Sequence, residues 1–476
     1  MSFTDARLTR REITEMVGAA AMTLASPGAA RSDQPQYSDG RPNVLVFFTD
    51  QQRWDTCGCY HGAAPGLTQN LDRMAHRGTV VTNSFSCQPV CAPARGCFQT
   101  GLYATQHGVW RNGIALPSNK KTLAHYFKEA GYSTGYIGKW HLGDVTDKPV
   151  PREQRGGYEY WLAGDAIEIT SHPYVFSLFD GEGREVRRPG YRVDAQTDCV
   201  LEYLNAHAAN SAEPFFLFAS YLEPHHQNDL NRFVAPDGYA DQLSALDWIP
   251  PDLEGADRGD WKTALPDYLG MVKRLDENLG RILQQLKRLH LDTNTIVMFA
   301  SDHGCHFRTR NSEYKRSCHD DSIHVPTVFQ GPGFDRHRRI NQLVSIPDWT
   351  ATLLDVAGIA KPDVLPGRSI LPLVRGEKTE WPQEVFVQIS ESEVARAVRT
   401  DRWKYCVHAP GKKGYGDSQS DSYVEQFLYD LKSDPAEKHN LAGKAAYRAI
   451  ADEMKLRLIR RMIAAGEVPP VITNLT

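Results

Sequence analysis

The chain contains 476 residues, of which 41% are hydrophobic and 24% charged, with 54 basic and 58 acidic side chains. This length predicts one large domain joined to a smaller one. The net charge of −4 excludes a general electrostatic attraction to nucleic acid or anionic lipid. The 37 glycines and 28 prolines are close to average frequencies, which excludes a fibrous or mainly disordered protein. The nine cysteines are an odd number, so at least one lies outside any intramolecular disulfide.

The N-terminal segment carries a pattern typical of export signals. Arg10 and Arg11 precede a weakly apolar stretch at 16–25 and small residues at 28–30, which resembles a twin-arginine leader. We therefore expect residues 1–30 to be a signal peptide and the mature protein to be periplasmic or secreted. The alternative is a disordered N-terminal tail. No apolar run reaches the roughly 18 residues that a transmembrane helix needs, so we expect no membrane span.

Up to Pro372, strand and helix patterns alternate along the chain. Short runs rich in β-branched and aromatic residues predict buried strands at Asn43–Phe48, Tyr132–Ile137, Phe215–Tyr221, Thr295–Ala300 and Pro326–Gln330. Apolar periodicity predicts helices at Thr122–Ala130, along the stripe from Tyr268 to Leu286, and at Trp349–Ala357. Strands that alternate with helices favour an α/β fold in which helices sandwich a largely parallel sheet.

After Pro372 the pattern changes to short strands separated by turns. These strands are predicted at Val385–Ile389, Ala397–Arg399, Trp403–Val407 and Phe427–Leu431, and a helix follows at 447–464. We therefore expect a main domain over 41–375, which would carry the active site, and a smaller antiparallel C-terminal subdomain over 376–476.

Polar side chains follow four predicted strands at their carboxyl ends, where ligands bind in open α/β sheets. The residues at these positions are Asp50, Gln51, Lys139, His141, His225, Asp302 and His303. Two carboxylates, an amide oxygen and an imidazole suit a divalent cation. Oxygen ligands favour Ca²⁺ or Mg²⁺, and an imidazole admits Mn²⁺ or Zn²⁺. Any one of these acids, taken alone, is more often a helix cap or a turn residue.

The segment Cys91-Ala-Pro-Ala-Arg95 matches the Cys-x-Pro-x-Arg signature of type I sulfatases, which belong to the alkaline-phosphatase-like superfamily. Other segments resemble further parts of that family in the same order: 43–51, 68–73, 138–143, 301–304, 315–326 and 428–441. The chain is therefore identified as a member of this family over about residues 43–445. The resemblance implies the α/β fold of that superfamily with a smaller antiparallel α+β subdomain.

The resemblance also implies a modified residue and a metal. A formylglycine-generating enzyme would oxidise Cys91 to formylglycine, whose hydrate is held by the metal and attacks the sulfur of a sulfate ester. The second hydroxyl of the hydrate then allows sulfate to leave as the aldehyde reforms. The implied ligands of one divalent cation, with Ca²⁺ favoured over Mn²⁺, Mg²⁺ and Zn²⁺, are Asp50, Gln51, Asp302, His303 and the modified Cys91.

Five further side chains receive implied catalytic roles. Arg95 braces the hydrate, Lys139 and Lys315 bind the sulfate oxygens, His141 is the base for the second hydroxyl, and His225 with Lys315 protonates the leaving group. The neighbouring His226 is the alternative to His225.

Several positions depart from the commonest family pattern, among them Gln51, His303, His324 and the pair Asp320 and Asp321. Gln51 stands where many members have aspartate, and His303 where many have asparagine; both variants also occur in relatives that cleave phosphonate or phosphate esters. The leading hypothesis is a sulfatase that acts on a sulfated carbohydrate. The alternatives are a phosphonate or phosphate ester hydrolase and a catalytically silent sulfoglycan-binding protein. Candidate specificity residues are segments 225–228 and 305–308 and the aromatic residues Tyr158, Tyr160 and Trp161, which otherwise belong to the core.

Overall fold

The computed structural model describes residues 40–60, 64–335 and 337–475, and the predicted export signal lies outside the described residues. The strands of the main sheet are β1 (Asn43–Thr49), β2 (Thr79–Phe85), β3 (Ser133–Lys139), β4 (Tyr160–Gly164), β5 (Val175–Asp180), β6 (Glu185–Pro189), β7 (Phe215–Ser220), β8 (Thr295–Ser301), β9 (Thr327–Gln330) and β10 (Arg338–Ser345).

The helices of the same part of the chain are α1 (Gln69–Arg77), α2 (Cys91–Thr100), α3 (Ala104–His107), α4 (Leu123–Glu129), α5 (Ile167–Thr170), α6 (Arg192–Asn210), α7 (Tyr239–Leu243), α8 (Trp261–Arg288), α9 (Asp320–Ile323), α10 (Ile346–Val356) and α11 (Leu371–Arg375). None of the helices in the described ranges combines the length and the apolar character that crossing a bilayer requires.

The main sheet has the strand order β10-β2-β9-β8-β1-β7-β3-β4-β5-β6. Its five central strands, from β8 to β4, run parallel, whereas β5, β6 and β9 pair antiparallel to their neighbours. The predicted α/β class and the largely parallel sheet are confirmed. The five predicted strands correspond to β1, β3, β7, β8 and β9 within two residues, and the sequence did not predict the other five.

The side chains of β1 show why this sheet lies between two helical layers. All seven residues of β1 are buried. Val44, Val46 and Phe48 pack in one core with residues of α2, α4 and α10. Leu45 and Phe47 point to the opposite face and pack with residues of α1, α6 and α8. A strand buried on both faces reads as a continuous apolar run, and this is why the sequence identified it.

A second, smaller sheet follows in the C-terminal part. Its strands are β11 (Glu384–Ile389), β12 (Ala395–Thr400), β13 (Trp403–His408), β14 (Ser422–Asp430) and β15 (Val471–Thr473), and α12 (Arg448–Ala464) packs on it. Strands β11 to β14 are antiparallel, which confirms the predicted antiparallel subdomain. The sequence missed β15, which adds parallel to β14. All nine cysteines are described, and each is a buried free thiol.

A buried ion network joins the small sheet to the main part of the chain. Nζ of Lys404, on β13, lies 2.6 Å from Oδ1 of Asp320 and 2.6 Å from Oε1 of Glu437. The backbone N–H of Asp320 donates to Oε2 of Glu437 over 2.6 Å. Burial and the negative charge of Asp320 together raise the pKa of Glu437 from 4.5 to about 7, although Lys404 acts in the opposite direction.

This shift makes the stability of the protein depend on pH. Between about pH 4.5 and about pH 7, folded Glu437 keeps a proton that the unfolded chain has released, so stability falls as the pH rises. A Glu437→Gln variant should lose this decrease. The free energy of unfolding of the variant minus that of wild type should therefore increase by on the order of 3 kcal/mol from about pH 5 to about pH 7.5. Unfolding curves of wild type and variant at both pH values measure this difference, with the exposed Glu153→Gln as control. Parallel pH profiles of stability for Glu437→Gln and wild type would contradict the prediction.

Candidate active site

Four side chains that could bind a metal meet at the carboxyl end of the central strands. Asp50 follows β1, Asp302 and His303 follow β8, and Cys91 is the first residue of α2. Their ligand atoms lie within 4.8 Å of one another, and all four residues are buried. Sγ of Cys91 lies 3.3 Å from Nε2 of His303 and 3.5 Å from Oδ1 of Asp50. The fold thus brings together two strand ends and one helix start.

Close backbone contacts shape the segments that carry these ligands. Gln51 has a φ of 69°, and its N–H donates to Oδ1 of Asp302 over 3.0 Å. A Cβ at Gly304, directly after His303, would lie 2.2 Å from the carbonyl oxygen of Asp321. Only glycine fits this approach, which explains the glycine at the end of the Ser-Asp-His segment.

The two carboxylates of the cluster have opposite pKa shifts. Burial and the neighbouring charge of Asp50 raise the pKa of Asp302 to about 6. Burial also acts on Asp50, but nearby positive charges, led by that of Lys139, hold the pKa of Asp50 below its usual range. Oδ2 of Asp302 is buried and accepts no hydrogen bond from the described residues. Two buried carboxylates with an unsatisfied oxygen fit a divalent cation, which would relieve their repulsion.

Two buried cations hold these carboxylates in place. The guanidinium of Arg95 donates to Oδ2 of Asp50 over 3.0 Å and lies 3.4 Å from Oδ2 of Asp302. Its Nη1 donates to the carbonyl oxygen of Lys139 and to Oγ of Ser220. Nζ of Lys139 donates to Oδ2 of Asp50 over 2.8 Å. Arg95 therefore braces the two carboxylates, and through Lys139 it is tied to the end of β3.

Lys315 connects the cluster to His225. Its ammonium group donates to Sγ of Cys91 over 2.9 Å, to Nε2 of His225 over 2.8 Å and to Oε1 of Gln51 over 3.1 Å. Nδ1 of His225 lies 2.6 Å from the carbonyl oxygen of His226, so His225 donates there and accepts from Lys315. Burial and the charge of Lys315 lower the pKa of His225. In this contact His225 is therefore the acceptor and Lys315 the donor.

A buried glutamate, Glu168, lies between Lys139 and His141. Its Oε2 is 3.1 Å from Nζ of Lys139, and its Oε1 is 3.5 Å from Nε2 of His141. Burial raises the pKa of Glu168, but Lys139 and His141 outweigh this and lower it to about 2. Burial lowers the pKa of His141, and Glu168 outweighs that effect and raises it. No sequence pattern indicated Glu168, because it lies in the short helix α5 and follows no predicted strand.

A small cavity of about 110 Å³ opens onto Cys91. Three other predicted catalytic residues line it, His141, His225 and Lys315. The remaining lining residues are His226, the predicted alternative to His225, and six that were not predicted as catalytic or metal-binding residues: Asn112, Glu168, Asn228, Glu313, Tyr314 and Arg316. Cavities of about 270 Å³ and 350 Å³ also occur among the described residues, but Cys91 lines neither of them. The chemistry of the lining, rather than its size, identifies the site.

Some of the candidate specificity residues line the cavity and others do not. In segment 225–228, all but Gln227 line the cavity, whereas residues 305–307 are fully buried outside its lining. Tyr158 and Trp161 are only 6% and 3% exposed and belong to the core cluster between the sheet and α4. The interpretation of Tyr158 and Trp161 as a sugar-stacking surface is therefore wrong, because both rings are enclosed by other aromatic side chains. Tyr160, the third residue of that prediction, is 40% exposed but does not line the cavity.

The fit of this cluster to a divalent cation predicts that a chelator destabilises the protein. A chelator leaves the buried carboxylates of Asp50 and Asp302 uncompensated, and a ligand held at 100 times its Kd contributes roughly 3 kcal/mol. We expect the melting temperature to decrease by several degrees and to recover when the divalent cation is returned. An Asp302→Asn variant should show a much smaller response. A melting temperature that is unchanged by exhaustive dialysis against chelator would contradict this prediction.

Two family models match overlapping parts of the chain. Residues 42–359 match the family model Sulfatase, and residues 313–464 match N-sulphoglucosamine sulphohydrolase, C-terminal. The chain belongs to the sulfatase family. This sulfatase is a sulfuric ester hydrolase of the alkaline-phosphatase-like superfamily, which confirms the resemblance seen in the sequence.

Individual relatives span most of this sulfatase. The Ulvan-active sulfatase of Formosa agariphila is 28% identical over 459 residues, covering 93% of this chain and 85% of the relative. A protein solved in complex with its substrate D-glucosamine-2-N,6-O-disulfate superposes with a TM-score of 0.72 at 22% identity, covering 90% and 98%. The phosphonate monoester hydrolase of Agrobacterium radiobacter superposes with a TM-score of 0.66 at 23% identity, covering 89% and 96%. At 22% and 23% identity, these two structures show that the fold is shared and no more than that.

Proposed function

We propose that this sulfatase hydrolyses a sulfate monoester of a carbohydrate and that its nucleophile is a formylglycine formed from Cys91. The observation that carries the proposal is the position of Cys91. It begins α2, contacts the cluster of Asp50 and His303, and accepts a hydrogen bond from Lys315. A nucleophile placed between a metal site and a buried ammonium group suits attack on an anionic ester.

Asp50, Asp302, His303 and the modified Cys91 would hold one divalent cation, for which we propose Ca²⁺ because carboxylate oxygens are its preferred ligands. Gln51, which lies at the edge of this cluster, would be a further ligand of the cation. When bound, the cation lowers the pKa of a coordinated hydroxyl and offsets the charge of the ester. The hydrate of formylglycine supplies two hydroxyls, one to attack sulfur and one whose deprotonation allows sulfate to leave.

The remaining roles belong to the side chains around the cavity. We assign Lys139 and Lys315 to the sulfate oxygens, because both ammonium groups are buried beside the cluster and attract an anion. His141 would take the proton of the second hydroxyl, and Glu168 supports this role because it favours the protonated imidazole. Arg95 would hold the carboxylates of Asp50 and Asp302 in position.

Protonation of the leaving group is assigned to the pair of Lys315 and His225. The ester bond between sulfur and the alcohol oxygen breaks in the first step, and the departing oxygen needs a proton when the alcohol is a sugar hydroxyl. Lys315 already donates to Nε2 of His225 over 2.8 Å, so the two side chains are joined at the atoms through which a proton would pass. The ring of His226 stacks on His225 and packs at a tilt against Tyr314, whereas the contact with Nζ of Lys315 is made by His225, which supports His225 as the partner of Lys315.

A carbohydrate substrate is supported by the cavity and by the relatives. Beyond the nucleophile, the lining offers amide, carboxylate and guanidinium groups from Asn112, Asn228, Glu313 and Arg316, with one aromatic ring, that of Tyr314. Such a lining suits hydroxyl groups better than an apolar alcohol. One relative is named as ulvan-active, and another solved structure holds a sulfated glucosamine.

The test combines a mass measurement with a substrate panel. The protein is produced with a formylglycine-generating enzyme, and the peptide containing Cys91 is examined for the mass of formylglycine. The modified protein is then assayed on sulfated sugars and on a phosphonate monoester. Formylglycine together with sulfate release supports the proposal. An unmodified peptide with no hydrolysis of any sulfate ester overturns it, and a phosphonate ester turned over far faster than every sulfate ester would favour a phosphonate hydrolase.

We also propose that the protein is exported after modification. The arginine pair Arg10 and Arg11 precedes an apolar stretch and small residues, and a twin-arginine route carries proteins that are already folded. Oxidation of Cys91 in the cytoplasm would then precede transport to the periplasm or the medium. Fractionation of cells, with an Arg10→Lys and Arg11→Lys double variant as control, tests this localisation.

A further inference from the structure

One buried carboxylate of the C-terminal subdomain contacts both sides of the active-site cavity. Glu391 lies between β11 and β12, and its side chain is fully buried. Its Oε1 accepts the backbone N–H of Asn112 over 2.6 Å. Its Oε2 lies 2.5 Å from Nη2 of Arg316 in an ion pair. Both Asn112 and Arg316 line the cavity.

The contact with Asn112 supports the helix that begins at Cys91. The residue before this helix, Val90, has no side-chain oxygen to accept the free N–H groups of the first turn. Oδ1 of Asn112 accepts the N–H of Ala92 instead, over 3.1 Å. Asn112 therefore acts as a cap supplied from a distant part of the chain, and Glu391 fixes the backbone of that cap.

The contact with Arg316 supports the segment that carries Lys315. Arg316 has a φ of 70°, a conformation that few side chains adopt without support. Besides the ion pair with Glu391, Oγ of Ser392 donates to the carbonyl oxygen of Arg316 over 2.7 Å. Lys315 directly precedes Arg316, and its Nζ lies 2.9 Å from Sγ of Cys91. The loop that contains Glu391 and Ser392 therefore supports the backbone near both partners of the contact between Lys315 and Cys91.

The loop that presents Glu391 is itself firmly built. The N–H of Glu391 donates to the carbonyl oxygen of Gly414, and a Cβ at Gly414 would lie 2.6 Å from the carbonyl oxygen of Glu391. Nε2 of Gln88 donates to Oγ of Ser390 over 2.7 Å, and the N–H of Gln388 donates to the carbonyl oxygen of Cys87. These bonds tie the loop to the segment that leads into α2.

We propose that Glu391 is a positioning residue that sets the distance between Cys91 and Lys315 and thereby governs protonation of the leaving group. Glu391 touches neither the nucleophile nor the ester. It acts through Asn112 on the helix of Cys91 and through Arg316 on the segment of Lys315. This inference rests on the proposed function, because it assigns Lys315 to the leaving oxygen. A small misplacement of an acid that must meet that oxygen costs rate without preventing binding.

The test uses leaving groups of different acidity. An acidic phenol such as 4-nitrophenol leaves with little help from a proton donor, whereas a weakly acidic phenol or a sugar hydroxyl depends on one. For Glu391→Ala, we expect kcat/KM on 4-nitrophenyl sulfate to decrease less than about 3-fold. On 4-methoxyphenyl sulfate and on a sugar sulfate, we expect a decrease of about 30-fold, mostly in kcat. Glu391→Gln, which still accepts the N–H of Asn112, should show an intermediate decrease.

The matched control is Glu393→Ala in the same loop. Glu393 accepts from Gln426 within the subdomain and contacts neither Asn112 nor Arg316. It should leave the dependence on the leaving group unchanged. Ser392→Ala, an exposed substitution that removes the bond to the carbonyl oxygen of Arg316, should shift this dependence in the same direction as Glu391→Ala.

Two outcomes would overturn the inference. One is a decrease of equal size on all esters in Glu391→Ala, which indicates general destabilisation. The other is a crystal structure of that variant in which Lys315 and residue 91 keep their separation. Failure of the wild-type enzyme to release sulfate from any ester would instead overturn the proposed function, so the two failures are distinguishable.

Discussion

A Cys91→Ser enzyme is expected to lose steady-state sulfatase activity by a factor on the order of 10⁴ or more. A serine hydroxyl at the start of α2 would still face the metal cluster and Lys315, and it could take the sulfuryl group once. It has no second hydroxyl whose deprotonation releases sulfate, so the enzyme should stop as a sulfate ester of residue 91. Intact-protein mass spectrometry after incubation with substrate would detect this ester, and sulfate release would measure the lost turnover.

The matched control is Cys199→Ser, which changes an equally buried thiol on α6, in the core on the other face of the sheet. This variant should keep its turnover once its melting temperature shows that it is folded. Multiple turnovers by Cys91→Ser at a rate near that of wild type would contradict the assignment of residue 91, because no route would then require the aldehyde.

A Lys315→Ala enzyme is expected to lose about 1,000-fold in kcat/KM, because the substitution removes a buried charge from the sulfate site and the proton donor of the leaving group. Nζ of Lys315 contacts Cys91, His225 and Gln51 in the free protein. Steady-state kinetics on a sulfated sugar and on 4-nitrophenyl sulfate would measure the loss. It should be larger on the sugar, whose alcohol leaves less readily.

Lys287→Ala is the control for this second prediction, since Lys287 lies near the end of α8 and lines a different cavity. Its kinetics should match those of wild type. A Lys315→Arg variant tests shape, because a planar guanidinium cannot make the three contacts of a compact ammonium group. A loss of less than about tenfold in Lys315→Ala would show that Lys315 lies beside the reaction without taking part in it.

The sequence predicted the part of the fold that depends on continuous burial. β1, β7 and β8 are buried on both faces, so their apolar runs stand out along the chain, and the polar residues after them mark the ligand-binding edge. Strands β5 and β6 were missed because they form an antiparallel pair with partly exposed faces. Their residues carry the weak alternation that many turns and loops also show.

The residues of the candidate site likewise fall into those that could be predicted from the sequence and those that could not. Residues within short motifs, such as Cys91 and Arg95, or directly after strong strands, such as Asp50 and Asp302, could be proposed from the sequence. Glu168 could not, because its position beside Lys139 and His141 results from how α5 packs. The aromatic pair at 158 and 161 was ambiguous for the same reason: a ring that stacks on a sugar and a ring in the core have the same local sequence signal.

The family, the motif that contains Cys91 and the order of the main chemical groups along the chain could be predicted from the sequence, because these depend on residue types at short spacing and at strand ends. The tertiary structure was needed to show which carboxylate lies beside His141 and how Glu391 of the small subdomain contacts residues near Cys91 and Lys315. These contacts join residues far apart in the chain, and their formation depends on the packing of whole elements, which no local pattern encodes.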